Sequence, residues 1–201
     1  MSHRQELSAL QQELMGETYC PAPVRRVEIP KPGSQEKRPL GIPTVRDRVV
    51  QTALVHVLEP IFDHTFHNRS FGFRHGRGCH DALRCVDQLL AEGYVYVVDA
   101  DLKVYFDTIP KDKMLEPVKQ KVSDSAVLRP IQKYLEQEIM SELSTRTPET
   151  GVPQGAVISP MLSTLYLNPL DHHMSEQGFE MVRYADDFVI LCRSQSEAES
   201  A

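Results

Sequence analysis

At 201 residues and 41% apolar content, the chain can bury one sizeable core or two smaller ones. No run of eighteen apolar residues occurs, so no membrane-spanning helix or membrane partner is expected, and the charged opening lacks the apolar stretch of a signal peptide, so a cytoplasmic protein is expected. The four cysteines (Cys20, Cys79, Cys85, Cys192) form no Cys-x-x-Cys pair, which points away from a zinc site or a disulfide framework. A net charge of −6 argues against a nucleic-acid partner, but the charge is unevenly spread. Residues 24–77 carry ten Lys or Arg against five Asp or Glu, whereas residues 78–201 carry eleven against twenty. That asymmetry suits a molecule that holds phosphates with one part and metal ions with the other.

In chain order, Leu7, Leu10 and Leu14 mark a helical lead-in over residues 1–23, ended by Cys20-Pro21 and Ala22-Pro23. Residues 24–30 alternate as a strand, 31–37 read as a turn-rich loop, and Arg38-Pro-Leu-Gly-Ile-Pro43 as the returning strand. Lys31 and Arg38 then lie on the two sides of a basic hairpin, able to approach one anion. Thr44-Val-Arg-Asp47 resembles a capping box opening a helix expected to stop near Pro60, with Arg46 and Arg48 on it. Ser70-Phe-Gly-Phe-Arg74-His-Gly-Arg77 is a glycine-containing loop before a helix, where Arg74 and Arg77 would suit an RNA backbone or simply solvent. His80 has no second histidine at ligand spacing and is expected to cap or pack.

The run from Val95 to Asp107 is apolar and ends in acids. As a strand it puts Val95, Val97, Asp99 and Asp101 on one face. Two helices are expected over 110–121 and 124–139, an irregular stretch over 145–150, and then the loop Gly151-Val-Pro-Gln154-Gly155 running into a long helix with Ser159 as N-cap and Pro160 at its first position. Gln154 before a glycine can present its amide to a base or sugar. Met181 to Leu191 reads as a β-hairpin with Asp186 and Asp187 at its tip. Adjacent acids also occur in ordinary solvated turns. Here a second acidic strand is available, and Asp101 beside the hairpin would gather three carboxylates, enough for two Mg²⁺ ions in phosphoryl or nucleotidyl transfer.

Four stretches in one order carry a resemblance: the segment from Lys31 to Arg48 with Arg-Pro-Leu-Gly-Ile-Pro, the Phe-Gly-Phe-Arg loop, Asp-Leu-Lys-x-x-Phe-Asp, and Pro-Gln-Gly-x-x-x-Ser-Pro followed by Tyr-Ala-Asp-Asp. Together, across about residues 24–193, they resemble the finger and palm motifs of bacterial group II intron reverse transcriptases, the maturase family. The resemblance implies an α+β fold with a small antiparallel palm sheet, fingers over about 24–92 and 108–154, and palm over about 93–107 and 155–201. It implies catalytic and metal-binding roles for Asp101, Asp186 and Asp187, with the main-chain carbonyl of Leu102 as a further metal ligand and two Mg²⁺ ions, or Mn²⁺, as cofactors. It also implies that Lys31 and Arg38 hold the triphosphate, that Phe106 bars a ribose 2′-hydroxyl, and that Gln154 contacts the incoming dNTP. Arg46, Arg74 and Arg77 would lie near an RNA template, such as an intron RNA, with a DNA or RNA primer as the remaining partner. Asp99 and Asp107 receive no catalytic role.

Val104 and His75 depart from the family pattern, which bears on local shape and not on the acids. Residues 194–201 read as a helix cut short with no thumb after it, so a fragment or truncated gene product is expected. An RNA-binding module without synthesis, and a retron, defence or diversity-generating enzyme, are the competing expectations.

Overall fold

A computed structural model of the chain describes residues 3–30, 33, 35, 37–102, 105–141, 145–147, 150–151 and 154–201. Its elements run α1 (His3–Met15), β1 (Val24–Pro30), β2 (Lys37–Ile42), α2 (Val45–Phe62), α3 (Cys79–Ala91), β3 (Tyr96–Asp101), the single turn α4 (Tyr105–Thr108), α5 (Lys111–Lys121), α6 (Ser125–Leu135), β4 (Ile139–Met140), β5 (Thr145–Arg146), α7 (Ser159–Glu176), β6 (Glu180–Tyr184), β7 (Asp187–Cys192) and α8 (Gln195–Ser200). The fold is mixed α and β with two small sheets, and it separates into two compact units, one of residues 1–57 with 106–159 and one of residues 58–105 with 160–201.

The first unit holds the sheet of order β2-β1-β4-β5. β1 and β2 form the expected antiparallel hairpin, running from Arg25 opposite Ile42 to Pro30 opposite Lys37. The helix expected over 124–139 ends earlier, at Leu135, and Ile139 instead pairs in parallel with Val24. Pairing with β1 satisfies the main chain of Ile139–Met140 from a distant part of the sequence, a partner that local helix signals do not register. Thr145–Arg146, expected to be irregular, closes the sheet against β4. Asp124 caps α6 by accepting from the Ala126 N–H at 2.8 Å.

A buried polar knot binds α1's exit, α2 and α6. Asp47 accepts from the Tyr19 hydroxyl at 2.5 Å, from the Thr44 hydroxyl at 2.6 Å and from the Ala22 N–H at 3.3 Å, while Tyr134 donates to the Asp47 carbonyl. Thr44 in turn accepts from the Asp47 N–H at 3.2 Å, so the expected cap at the start of α2 is present. Burial, and bonds to Asp47 and Tyr134, push the Tyr19 phenol far above its ordinary value. α2 ends at Phe62, two residues past Pro60 and so near where it was expected to stop. In the last turn a proline forfeits one hydrogen bond, and burial of Leu58 and Phe62 on either side offsets that loss.

The second unit is built on the antiparallel sheet β3-β7-β6. One face packs Val182, Val189 and Leu191 against Ala82, Cys85, Val86 and Leu89 of α3, whose apolar residues recur at helical spacing. The other face packs Met181, Ile190 and Cys192 against Leu170 and Met174 of α7 and Ala198 of α8. Gly78 precedes α3, and the Asp81 carboxylate accepts the Gly78 N–H at 2.8 Å. The cap therefore falls to Asp81, while His80 is exposed and neither caps nor packs. β3 is shorter than the acidic run suggested, ending at Asp101, because Tyr105 turns inward and becomes buried in the one-turn helix that follows.

Candidate active site

The carboxylates are placed by strand register. Antiparallel pairing sets Val97 opposite Leu191, Asp99 opposite Val189 and Asp101 opposite Asp187, so the two strand-end acids face each other across the sheet. Tyr184 pairs with Asp187, which leaves Ala185 and Asp186 as a two-residue loop. Ala185 has φ of 63° and is the only loop residue in the left-handed region, the arrangement of a type II′ turn that suits the twist of a hairpin. Glycine is the usual occupant, and an alanine there is strained.

Asp101 and Asp187 are exposed and Asp186 is half-buried. Burial, followed by the neighbouring charges of Asp186, Asp101 and Asp99, raises the Asp187 carboxyl above its ordinary 3.8. Four like charges therefore share one end of the sheet. Among the described residues, no three His, Cys, Asp or Glu side chains converge closely enough to hold a metal ion as they stand. The expected meeting of three acids at one point is thus a row of neighbours and not a closed cage. The donor set still fits a hard divalent cation, which takes one or two carboxylates and completes its shell with water and phosphate oxygens. Leu102 follows directly on β3, and its carbonyl accepts from the Tyr105 N–H at 3.2 Å, leaving one lone pair for another partner.

The other expected site residues divide between the two units. Arg38 is exposed on β2 opposite Ile29; Lys31 lies outside the described residues. Gln154 belongs to the same unit as Arg38, and its carbonyl accepts from the Gly41 N–H at 2.6 Å, pinning its loop to β2. Gly155 makes this possible: φ is +107°, and a Cβ would meet the Gly41 carbonyl at 2.7 Å. Gln51, buried on α2, accepts from the Val157 N–H at 2.7 Å and so holds the same loop from behind. Phe106 is half-buried on α4.

The arginines differ in their engagement. Arg46 is exposed and pairs with Glu13. Arg77 donates to the Asn68 carbonyl and lies over the Phe71 ring. Arg74 is consumed by its own loop: only 5% of its side chain is exposed, and it donates to Asp63 and to the carbonyls of His67 and Ser70 while lying over Phe66. It braces the loop, and an RNA backbone would find few of its donors free.

Sequence reasoning missed the residues beneath the turn. Arg183, on the sheet face opposite the acids, is 1% exposed and makes a two-point ion pair with Asp171 of α7. The only advance signal was an arginine between apolar residues in a hairpin strand. Its partners lie 12 and 113 residues away.

Comparison with known proteins bears on the family and the fold. Residues 29–201 match the family described as reverse transcriptase (RNA-dependent DNA polymerase). The chain is similar to Protein YkfC of Escherichia coli K12, 39% identical over 176 residues, covering 86% of this chain and 46% of that protein. It is similar to the group II intron-encoded protein LtrA of Lactococcus lactis subsp. cremoris, 35% identical over 167 residues, covering 83% of this chain and 28% of that protein. The chain thus spans less than half the length of these curated relatives. Among solved structures, a Cas6-RT-Cas1–Cas2 complex superposes on all of this chain and 35% of that one, with a TM-score of 0.58 and 26% identity. The telomerase of Candida albicans, solved with a fragment of telomeric RNA, superposes on 90% of this chain and 39% of that one with a TM-score of 0.60; at 12% identity this shows likeness of fold alone.

Proposed function

We propose, since the chain belongs to the reverse transcriptase (RNA-dependent DNA polymerase) family, that it carries the nucleotidyl-transfer site of an RNA-directed DNA polymerase of the group II intron kind, extending a primer 3′-hydroxyl with dNTPs on an RNA template. One observation carries the reading: Asp101 and Asp187 face each other across paired strands, with Asp186 in the adjoining turn. Carboxylates gathered at a sheet end are what a site for divalent cations and polyphosphate requires.

Asp101, Asp186, Asp187 and the Leu102 carbonyl would hold Mg²⁺, and Mn²⁺ is accepted by the same oxygen donors. When bound, such ions supply acidification of the primer hydroxyl and charge neutralisation on the leaving pyrophosphate. The chain's own residues do the rest. Burial and then the neighbouring carboxylates raise the Asp187 carboxyl, a shift that a bound cation's charge would oppose. Arg38, together with Lys31, is assigned to the triphosphate as fork and point charge. Gln154 is assigned to the nucleotide, from a loop fixed at two places by Gly41 and Gln51. Phe106 is assigned to exclusion of a 2′-hydroxyl by bulk, and Arg46 and Arg77 to the template. Positioning and electrostatics supply most of the acceleration in such transfers.

The test is primer extension on an RNA template with dNTPs and Mg²⁺, comparing the parent with Asp186→Asn, Asp187→Asn. Extension by the parent alone is expected. Extension by the variant would remove these acids from the chemistry, and RNA binding without extension by the parent would make the chain a binding module.

A further inference from the structure

The turn that presents Asp186 is strained, buried at Ala185, and held from two sides. On one side the Arg183 guanidinium donates from Nη1 to the Ala185 carbonyl at 2.8 Å, the oxygen of the peptide that leads into Asp186. On the other, the loop segment Arg69 to Phe71 lies along β6, with the Arg183 N–H donating to the Arg69 carbonyl at 3.0 Å and the Phe71 N–H to the Arg183 carbonyl at 2.9 Å. The next residue, Gly72, presses its main chain on the turn. A Cβ there would run into the N and Cα of Ala185, the latter at 2.8 Å, so only glycine fits.

Arg183 is itself fixed. Its Nε donates to Asp171 Oδ1 at 2.6 Å, and its Nη2 donates to Asp171 Oδ2 and to the Ser70 hydroxyl, the latter at 2.8 Å. Asp171 is 2% exposed and Ser70 is fully buried. The fork spends one edge on the carboxylate and keeps Nη1 for the turn, a division that a lysine ammonium could not reproduce with the same geometry. Because Asp171 neutralises it, Arg183 adds little net charge beneath the acids and does not compete for their counter-ion.

A left-handed alanine persists only where its surroundings over-determine it. Packing alone would explain a buried ion pair; it would not explain why the pair's remaining donor is aimed at the carbonyl of that one strained peptide. We propose that Arg183 is a positioning residue for the divalent-cation site: anchored by Asp171 and Ser70, it holds the Ala185 carbonyl and thereby sets the Asp186 carboxylate beside Asp187 and Asp101. This rests on the reading of those three acids as the cation site.

The experiment is Mn²⁺ binding to the full chain, followed by electron paramagnetic resonance of free Mn²⁺, with thermal unfolding recorded on the same samples. Arg183→Met, Asp171→Leu removes both charges together, so no unpaired charge is left buried. It is expected to fold and to bind Mn²⁺ about tenfold more weakly than the parent, with Asp186→Asn weakened at least as much, since a misplaced ligand loses most of its share of the site. Parent-like binding by the folded double variant, while Asp186→Asn is weakened, overturns the positioning role and leaves the cation site standing. Parent-like binding by Asp186→Asn removes the cation site itself, and the proposal with it. Should the double variant fail to fold, Ser70→Ala decides, because it keeps the ion pair and deletes one anchor. A weakening of about threefold supports the proposal, and unchanged binding overturns it.

Discussion

Two hairpins carry charged residues of the expected site, and they are held in opposite ways. The β1–β2 hairpin places Arg25, Arg38 and Lys37 on exposed or half-exposed positions, with an exposed ion pair from Arg26 to Glu28 at 3.0 Å. Water solvates these cations, and such pairs contribute little to stability. The β6–β7 hairpin buries Met181, Val182, Ile190, Leu191 and Cys192, places like-charged acids at its tip, and sets a fully buried arginine beneath its strained turn. Cations spread along a wet strand need no scaffold. Acids set side by side at a sheet end repel one another, and holding them there takes a turn clamped by protein.

The comparison can be broken most directly at the acids. Asp186→Asn, Asp187→Asn is expected to lower primer extension at least about a thousandfold, the scale of several kcal/mol of lost transition-state stabilisation, with the circular dichroism spectrum unchanged. Next in size is Arg183→Gln alone. It strands Asp171 as an unpaired buried charge and is expected to cost about 3–5 kcal/mol in urea unfolding. Gly155→Ala sharpens the contrast from the other hairpin. The left-handed backbone and the contact with the Gly41 carbonyl predict a loss of about 1–3 kcal/mol and a weaker apparent affinity for dNTP, measured by denaturation and by steady-state kinetics.

Arg38→Ala, on the solvated hairpin, should leave stability within about 0.5 kcal/mol while raising KM for dNTP about tenfold. A stability loss comparable to that of Arg183→Gln would erase the distinction between the two hairpins. The smallest expected effect concerns pH. The Asp187 carboxyl is raised on folding, so the folded chain binds its proton more tightly than the unfolded one. Its stabilising contribution is full below the ordinary value of 3.8 and is lost as pH rises through the raised value. In metal-free buffer Asp187→Asn should flatten that part of the stability curve and raise Tm at pH 7 by about 1 °C.

Much of this was legible along the chain. Alternation with period two, bounded by turn residues, marked both hairpins and the acidic strand, and the helices expected after the Arg74–Arg77 loop and from Ser159 are present as α3 and α7. Local rules failed where a distant strand or core outweighed them. Ile139 left its helix to pair with Val24, and β3 stopped at Asp101 as Tyr105 turned inward. Arg74 looked like a surface contact because its acceptors, Asp63 and two loop carbonyls, come together only when the loop closes.

By itself the sequence determined which residues could do chemistry: the acids, the basic hairpin, the Pro-Gln-Gly loop and their order, since residue type and short-range periodicity are local properties. Only the tertiary structure decided which acids face one another and what holds them. Register between β3 and β7 joins residues 86 positions apart, as Asp101 and Asp187 show. It is set by burial of a whole sheet face, where a slip of one residue would turn every side chain over. The brace under the turn is nonlocal for the same reason. An arginine can be buried only where a carboxylate and a hydroxyl arrive from elsewhere in the chain to meet it, and Asp171 and Ser70 do so here.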